Sequence, residues 1–237
     1  MHGKQTRIHY TTSLLALHGT GLIASAGPLP VTSYLGFGDS PFSGTPFADF
    51  HLEDMEDGLL NTLGLSVVSN TPGTTIGAIG MNPNADSVDE DDGVIDGLGR
   101  DGMSLAEVNN ISTENLGYTF SFDPVSLGYL PTHVGLVWTD GGFGRSTIVE
   151  FFDADGELLG SIGPTPVGDN SFAGGTAEDR FFGAIFEEGV ASMTIRTPGG
   201  VNVLEVDHIQ YGIVPTPATL AAIVASGLLV PRRGRRG

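Results

Sequence analysis

The chain has 237 residues, no cysteine and a formal net charge of −18. All 28 acidic residues lie between Asp39 and Asp207, where only four arginines balance them. Such a field repels phosphate backbones, so we expect no nucleic-acid partner, and the absence of thiols excludes disulfides and cysteine-ligated metals. The length suits one sizeable domain.

The first 26 residues have the pattern of a secretory signal peptide. Lys4 and Arg7 precede a mostly apolar stretch, and Ala24-Ser25-Ala26 supplies the small residues of a cleavage site. We therefore predict an exported protein with a signal peptide over residues 1–26, in which Ala24 and Ala26 form the cleavage site before Gly27. Residues 27–46 are rich in proline, glycine and serine, which indicates a linker or an irregular first edge.

The body of the chain, residues 47–213, consists of short runs rich in β-branched and aromatic residues. Turn residues separate these runs and no stretch keeps a 3.6-residue period, which predicts an all-β fold, an antiparallel sandwich or barrel. The 36 glycines favour turns over helices. The predicted strands are 47–52, 65–69, 75–81, 117–122, 133–139, 147–152, 157–162, 181–186, 192–196 and 202–211.

The clearest local prediction is a hairpin whose turn is Asp153-Ala154-Asp155-Gly156. An Asp-Gly pair supplies the positive φ that such turns require. Asp153 and Asp155 could also begin a calcium loop, but no acid stands at the later ligand position, so we favour the turn.

An acidic stretch over residues 86–93 is the first candidate metal site. Ca²⁺ takes about six to eight oxygen ligands, and glycine lets a calcium loop turn sharply. The spacing differs from an EF-hand, because Gly93 stands one residue early and no Glu occupies the twelfth position counted from Asp89. Two interpretations stay open: a calcium loop with Asp89 and Asp91 as ligands, and a solvated acidic loop.

A second candidate metal site combines the two ends of the body. Many sandwiches pair their first and last strands, which would bring Glu53 or Asp54 beside Asp207. Strict alternation along the last strand would place Asp207 on the face of Ile209 and Tyr211. An acid on that face needs a partner or a metal ion, so Asp207 is the predicted ligand, with an exposed strand end as the alternative.

Catalytic readings depend on carboxylates alone, because the sequence marks no nucleophile with a base. A glycosidase needs two acids about 5–10 Å apart, and close pairs arise by chance among 28 acids. Trp138 and Tyr129 could stack on sugar rings, but the apolar run around Trp138 favours a place in the core. We therefore predict no catalytic residue.

The C-terminal residues 214–237 form a second predicted targeting signal, after the signal peptide. Val214-Pro215-Thr216-Pro217 precedes an apolar run over residues 218–230 and a basic end. A bilayer accepts the apolar run and holds the basic residues at its cytoplasmic face. Thirteen helical residues reach only about 20 Å against a core of about 30 Å, which suits a signal that is read and removed. The basic residues are Arg232, Arg233, Arg235 and Arg236.

This tail resembles the PEP-CTERM sorting signal of Gram-negative bacteria, with Thr216 where the motif usually has Glu. The resemblance implies that Val214, Pro215, Pro217 and the four arginines are sorting residues. It also implies recognition by an exosortase-like membrane transpeptidase as partner. The C-terminal helix would then anchor the chain in the inner membrane at least transiently, before display at the envelope or release.

A second resemblance lies in the body, in the segments EFFDADGELLGSI, AEDRFFGAIFEEGVASMTI and LEVDHIQYG. They resemble the β-sandwich ectodomains found in front of PEP-CTERM tails. This implies a jelly-roll-like antiparallel β-sandwich, in the broad style of carbohydrate-binding modules and lectin domains. Sandwiches of that style often hold a structural calcium where the first and last strands meet.

The complete prediction has four segments: a signal peptide (1–26), a linker (27–46), a β-sandwich domain (47–213) and a hydrophobic sorting signal (214–237). We expect an exported cell-surface or extracellular-matrix protein of a Gram-negative bacterium. Its expected role is structural or adhesive toward exopolysaccharide and non-catalytic, with Ca²⁺ as the one cofactor considered. Two alternatives stay open, a calcium-dependent carbohydrate-binding module and a carbohydrate-active enzyme that uses paired carboxylates.

Overall fold

The computed structural model describes residues 27–71, 76–80, 86–107, 115–141, 146–169, 171, 173–199 and 204–215. The predicted signal peptide, with Ala24 and Ala26, lies outside the described residues, as does the sorting signal apart from Val214 and Pro215. No helix in the described part of the chain has the length and apolarity needed to cross a membrane.

The described residues form two antiparallel sheets and one four-residue helix, α1 (Pro124–Leu127). The strands are β1 (Gly27–Pro28), β2 (Thr32–Ser33), β3 (Asp49–Glu53), β4 (Leu65–Ser69), β5 (Ile76–Gly80), β6 (Met103–Glu107), β7 (Asn115–Phe122), β8 (His133–Gly141), β9 (Ser146–Phe152), β10 (Leu158–Pro166), β11 (Arg180–Ile185), β12 (Ser192–Pro198) and β13 (Leu204–Ile213). The predicted all-β antiparallel architecture is confirmed.

The larger sheet has eight strands in the order β1-β11-β8-β13-β6-β5, with β2 added to β11 and β3 added to β13. The smaller sheet has five, in the order β10-β9-β12-β7-β4. Apolar residues of both sheets form the main core, among them Trp138 and Phe182 of the larger sheet and Phe120 and Phe151 of the smaller. Trp138 is fully buried, which confirms its predicted place in the core.

Each of the ten predicted runs overlaps an observed strand, and three short strands were not predicted. β1 and β2 are two residues long, which is too short for any periodic pattern. β6 reads Met-Ser-Leu-Ala-Glu, a composition that favours helix, and its pairing with β5 and β13 overrides that preference.

Residues 27–46 form an irregular first edge of the larger sheet. β1 and β2 both pair with β11. Tyr34 and Phe42 from this segment are buried in a second apolar cluster on the outer face of the larger sheet, the face turned away from the smaller sheet. The contacts therefore favour the edge over the linker. The cluster consists of Tyr34, Phe42, Val88, Val137 and Phe181.

A β-bulge in β13 overturns the face assignment predicted for the last strand. His208 has φ +43°, in the left-handed region, and the ladder from β13 to β8 changes register between Asp207 and Gln210. Ile209 and Tyr211 consequently enter the main core, whereas Asp207 does not share their face. Its carboxylate bonds instead to the backbone of the segment that carries Val88 over the outer face.

The predicted hairpin between β9 and β10 is confirmed. Phe152 pairs with Leu158, and Gly156 has φ +80°. Asp153 accepts hydrogen bonds from the backbone N–H groups of Asp155 at 2.9 Å and Glu157 at 2.8 Å. The turn uses Asp153 to hold its own backbone.

Phe151→Ala should destabilise the domain by about 4 kcal/mol, because it removes a fully buried ring between the two sheets and leaves a cavity. Val125→Ala, at a side chain that is 89% exposed, should change stability by less than about 0.5 kcal/mol. Urea denaturation of both variants measures the difference. Equal effects would contradict the assignment of Phe151 to the core.

Candidate metal centre

Residues 86–102, which we call the acidic loop, cover part of the outer face of the larger sheet. The N–H of Asp86 donates to Glu205 Oε2 at 2.7 Å, and the N–H of Val88 donates to Asp207 Oδ2 at 3.1 Å. Two acids of β13 thus hold the loop backbone. The loop is not simply solvated: Asp86 and Asp89 are each 1% exposed, whereas Glu90 and Asp92 face solvent.

Asp89 organises the acidic loop from inside. Its carboxylate accepts hydrogen bonds from the N–H groups of Asp96 and Gly97 at 3.0–3.1 Å and from the Thr176 hydroxyl at 2.9 Å. Gly99 permits the close return of the loop, since a Cβ there would overlap the Ser87 carbonyl oxygen. Protein donors therefore occupy both oxygens of Asp89, one of the predicted metal ligands.

Asp91, Asp207 and His208 form a group that could hold a metal ion, with one ligand atom of each lying within 4.8 Å of the others. His208 Nε2 lies 2.8 Å from Asp91 Oδ1, and both side chains are almost fully buried. Burial and the adjacent Asp91 carboxylate raise the pKa of Asp207 well above its usual range. We call these three residues the Asp-His group.

The second nitrogen of the His208 ring is also held. His208 Nδ1 lies 2.8 Å from the Tyr34 hydroxyl, which accepts a hydrogen bond from Gln210 Nε2 at 2.9 Å. An imidazole nitrogen with two carboxylates suits Zn²⁺ better than Ca²⁺, which prefers oxygen ligands. Tyr34 would then orient the ring from behind, as outer-shell partners of histidine ligands do.

Five further acids lie at the same end of the larger sheet, and we call them the carboxylate cage. Asp140 and Glu205 are direct partners in the ladder between β8 and β13. Glu178 and Asp179 immediately precede β11, and Asp86 begins the acidic loop. All five are buried, yet none forms an ion pair among the described residues.

Burial and mutual repulsion perturb the acids of the carboxylate cage. Burial, followed by the nearby carboxylates, raises the pKa of Asp86 from 3.8 to about 8. Burial likewise raises the pKa of Glu205 to about 8, of Glu178 to about 7 and of Asp140 to about 6. The pKa of Asp179 also rises well above its usual range, with burial as the main cause and Asp86 next.

The predicted pairing of the first body strand with the last is confirmed, since Glu53 of β3 lies opposite Ile209 of β13. Glu53, however, turns toward residues 55–62, where it accepts hydrogen bonds from the N–H groups of Met55, Asn61 and Thr62 at 3.0–3.1 Å. Asp54 is exposed. The Asp-His group therefore contains two of the five predicted ligands, Asp91 and Asp207, and not Glu53, Asp54 or Asp89.

The sequence predicted neither His208 as a partner of Asp91 nor a site formed by the carboxylate cage, of which only Asp86 lies in the predicted acidic stretch 86–93. His208 reaches the outer face through the bulge in β13, which no pattern in the sequence announces. The cage acids are scattered over the chain from Asp86 to Glu205 and meet only through the sheet topology. One usable signal was present: Asp140 and Asp179 each stand where an apolar strand ends or begins.

No family model and no curated protein matches this chain. Among solved structures, the K1 cleaved adhesin domain of Lys-gingipain from Porphyromonas gingivalis is similar, with a TM-score of 0.42, 12% identity and coverage of 71% of this chain and 100% of that one. The tandem CBM22-1-CBM22-2 domain of Xyn10C from Paenibacillus barcinonensis is similar with a TM-score of 0.39 and 11% identity, over 73% of this chain and 49% of that one. The family 11 carbohydrate-binding module of Lic26A-Cel5E from Clostridium thermocellum is similar with a TM-score of 0.34 and 10% identity, over 70% of this chain and 98% of that one. With identities of 10–12% and TM-scores of 0.34–0.42, these similarities assign no function to this chain.

We expect the metal-free protein to lose stability as the pH rises from about 5 to about 8. The acids of the cage have raised pKa values, so the folded state keeps protons that the unfolded chain has already released. The stability that this proton binding contributes is lost as the pH passes the folded-state pKa, which is about 8 for Asp86. Urea denaturation in a chelating buffer measures the loss.

Glu205→Gln should flatten this pH dependence, because it removes one of the raised pKa values. Asp155→Asn is the matched control, since it removes the same charge from an exposed turn and should leave the slope unchanged. A wild-type slope that Glu205→Gln leaves intact would contradict the assignment.

Proposed function

We propose that this chain is an exported, non-catalytic β-sandwich protein that acts at the cell surface or in the extracellular matrix of a Gram-negative bacterium, in contact with exopolysaccharide. The proposal of a non-catalytic role depends on one observation: the clustered acids of this chain are buried beneath the acidic loop. Asp86, Asp89 and Asp207 are each at most 1% exposed. A polymer chain has no access to these carboxylates.

The hydrogen bonds of these acids support the same role. A glycosidase needs one carboxylic acid at the leaving oxygen and a second carboxylate on the other side of the sugar ring. Here Glu205 and Asp207 bind the N–H groups of Asp86 and Val88, and Asp89 binds those of Asp96 and Gly97. These carboxylates hold backbone, so the enzyme alternative has the weaker support.

Contact with polysaccharide is supported by three partly exposed aromatic rings at the edge of the larger sheet, of which Phe50 belongs to β3. We call Phe37, Phe47 and Phe50 the aromatic strip; the ring centroid of Phe50 lies 5.5 Å from that of Phe37 and 4.8 Å from that of Phe47. Aromatic faces offer rigid apolar area for the apolar face of a sugar ring. Trp138 is buried, so it takes no part in such a surface.

Export and sorting remain part of the proposal on the strength of the two terminal patterns. The basic-apolar start with Ala24 and Ala26 supports a signal peptide. The Val214-Pro215-Thr216-Pro217 motif, the apolar run and the arginine cluster support recognition by an exosortase-like enzyme, with transient anchoring in the inner membrane. The acidic body keeps the exported domain soluble and away from anionic lipid.

A calcium-dependent carbohydrate-binding module is the second candidate function. The specific observation in its favour is the accumulation of buried carboxylates on one face of the larger sheet, because acids buried without a cation are costly. This alternative differs from the first in requiring that polysaccharide binding be lost when divalent cations are removed.

Phe50→Ala should weaken binding to bacterial exopolysaccharide about tenfold, because one stacking face of the aromatic strip is lost. Affinity electrophoresis against a panel of soluble exopolysaccharides, with and without chelator, measures the effect and separates the two candidates. Leu158→Ala is the control, since it removes an exposed apolar side chain from the smaller sheet and should leave binding unchanged. If the wild type binds none of the polysaccharides, the proposed adhesive role is contradicted.

Expression of the full chain in a Gram-negative host with an exosortase should yield a mature protein outside the inner membrane, cut after Ala26 and near the Val214-Pro215 motif. Mass spectrometry of both termini after cell fractionation is the measurement. Replacing the four C-terminal arginines by glutamine should abolish sorting without preventing export. A cytoplasmic chain with Met1 and Gly237 intact would refute this part of the proposal.

A further inference from the structure

Asp179 is the least satisfied polar side chain in the carboxylate cage. Neither of its carboxylate oxygens has a hydrogen-bond partner, and the residue is 0% exposed. Asp86 Oδ1 is buried and unpartnered as well. After burial, the carboxylates of Asp86, Glu178 and Asp89 raise the pKa of Asp179 further.

The neighbouring arginine does not resolve this arrangement. The Arg180 guanidinium donates to the backbone carbonyl oxygens of Ala177 at 3.0 Å and Asp179 at 2.7 Å, and forms no ion pair with a cage carboxylate among the described residues. Burying an unpaired carboxylate costs several kcal/mol, and buried polar groups in native proteins nearly always have partners. A cation supplied from outside would provide the missing partner.

We propose that the carboxylate cage binds one hard divalent cation of the calcium class, through Asp179 and Asp86 with oxygens from Glu178, Asp140 or Glu205. The donors are all oxygens, which Ca²⁺ prefers, and backbone carbonyl and water oxygens commonly complete its shell. Because no three cage carboxylates in the described residues bring oxygens within 4.8 Å of one another, the side chains must close around the ion as it binds.

This cation site is separate from the Asp-His group. Asp207 already accepts hydrogen bonds from the N–H groups of Val88 and His208, and Asp91 faces the His208 ring. That group offers a nitrogen ligand, which suits Zn²⁺ better than Ca²⁺, and its buried oxygen without a hydrogen-bond partner is Asp91 Oδ2. In the cage, an ion would tie the start of the acidic loop to the end of β8 and the start of β11, three elements that are distant in sequence.

The test is calcium titration of the full chain, stripped with chelator beforehand, by isothermal calorimetry and thermal unfolding. Wild type should bind one Ca²⁺ and unfold at a higher temperature with calcium than with chelator. Asp179→Asn should weaken calcium binding at least about tenfold, since the ligand charge falls. In chelator the same variant should unfold at or above the wild-type temperature, because it removes a buried carboxyl group whose oxygens have no partner.

Two controls locate the ion, and a second variant guards against misfolding. Asp101→Asn and Asp155→Asn should keep calcium binding, because both acids are exposed, the first within the acidic loop and the second in the turn between β9 and β10. Asp86→Asn should reproduce the loss if Asp179→Asn fails to fold. Wild type that binds no calcium at millimolar concentration overturns the proposal. So does binding that survives both cage variants.

Discussion

The organisation of the outer face depends on two carboxylates of β13 that bind backbone amides of the acidic loop. Glu205 and Asp207 receive the N–H groups of Asp86 and Val88, and this places Val88 in the second apolar cluster beside Val137. Val88 is therefore held twice, by the hydrogen bond from its N–H to Asp207 and by the apolar packing of its side chain. The cost is that several more acids are buried with them, and their common charge has to be neutralised by protons or by a cation.

This arrangement explains how so acidic a chain keeps a packed domain. Exposed acids such as Asp54 and Asp155 repel one another weakly through water, whereas several of the buried acids accept hydrogen bonds that fix loops. Glu53 holds the turn at residues 55–62, and Asp89 holds the acidic loop, each through several backbone N–H groups. The recurrent use of acids to order backbone accords with a binding or structural role better than with catalysis.

Local patterns predicted the fold well and the site poorly. Turn chemistry and alternation located the hairpin at Asp153–Gly156 and most strands, because those features are encoded within a few adjacent residues. The positive φ of His208 shifts the last part of β13 by one residue, and no rule of alternation accounts for it. Asp86 raises the pKa of Asp179 although the two residues are far apart in the sequence, so their interaction is visible only in the tertiary structure.

The position of β13 has a further consequence for how the chain reaches its native state. This strand pairs with β8, β3 and β6, so the larger sheet is held together by a segment that is synthesised after all its partners. Until residues 204–213 emerge, β8 lacks one of its two neighbours and the acidic loop lacks both of its anchoring carboxylates. Loop closure over such separations is slow, and a nascent chain that stays open in this way suits the unfolded passage through a membrane channel that the proposed export requires.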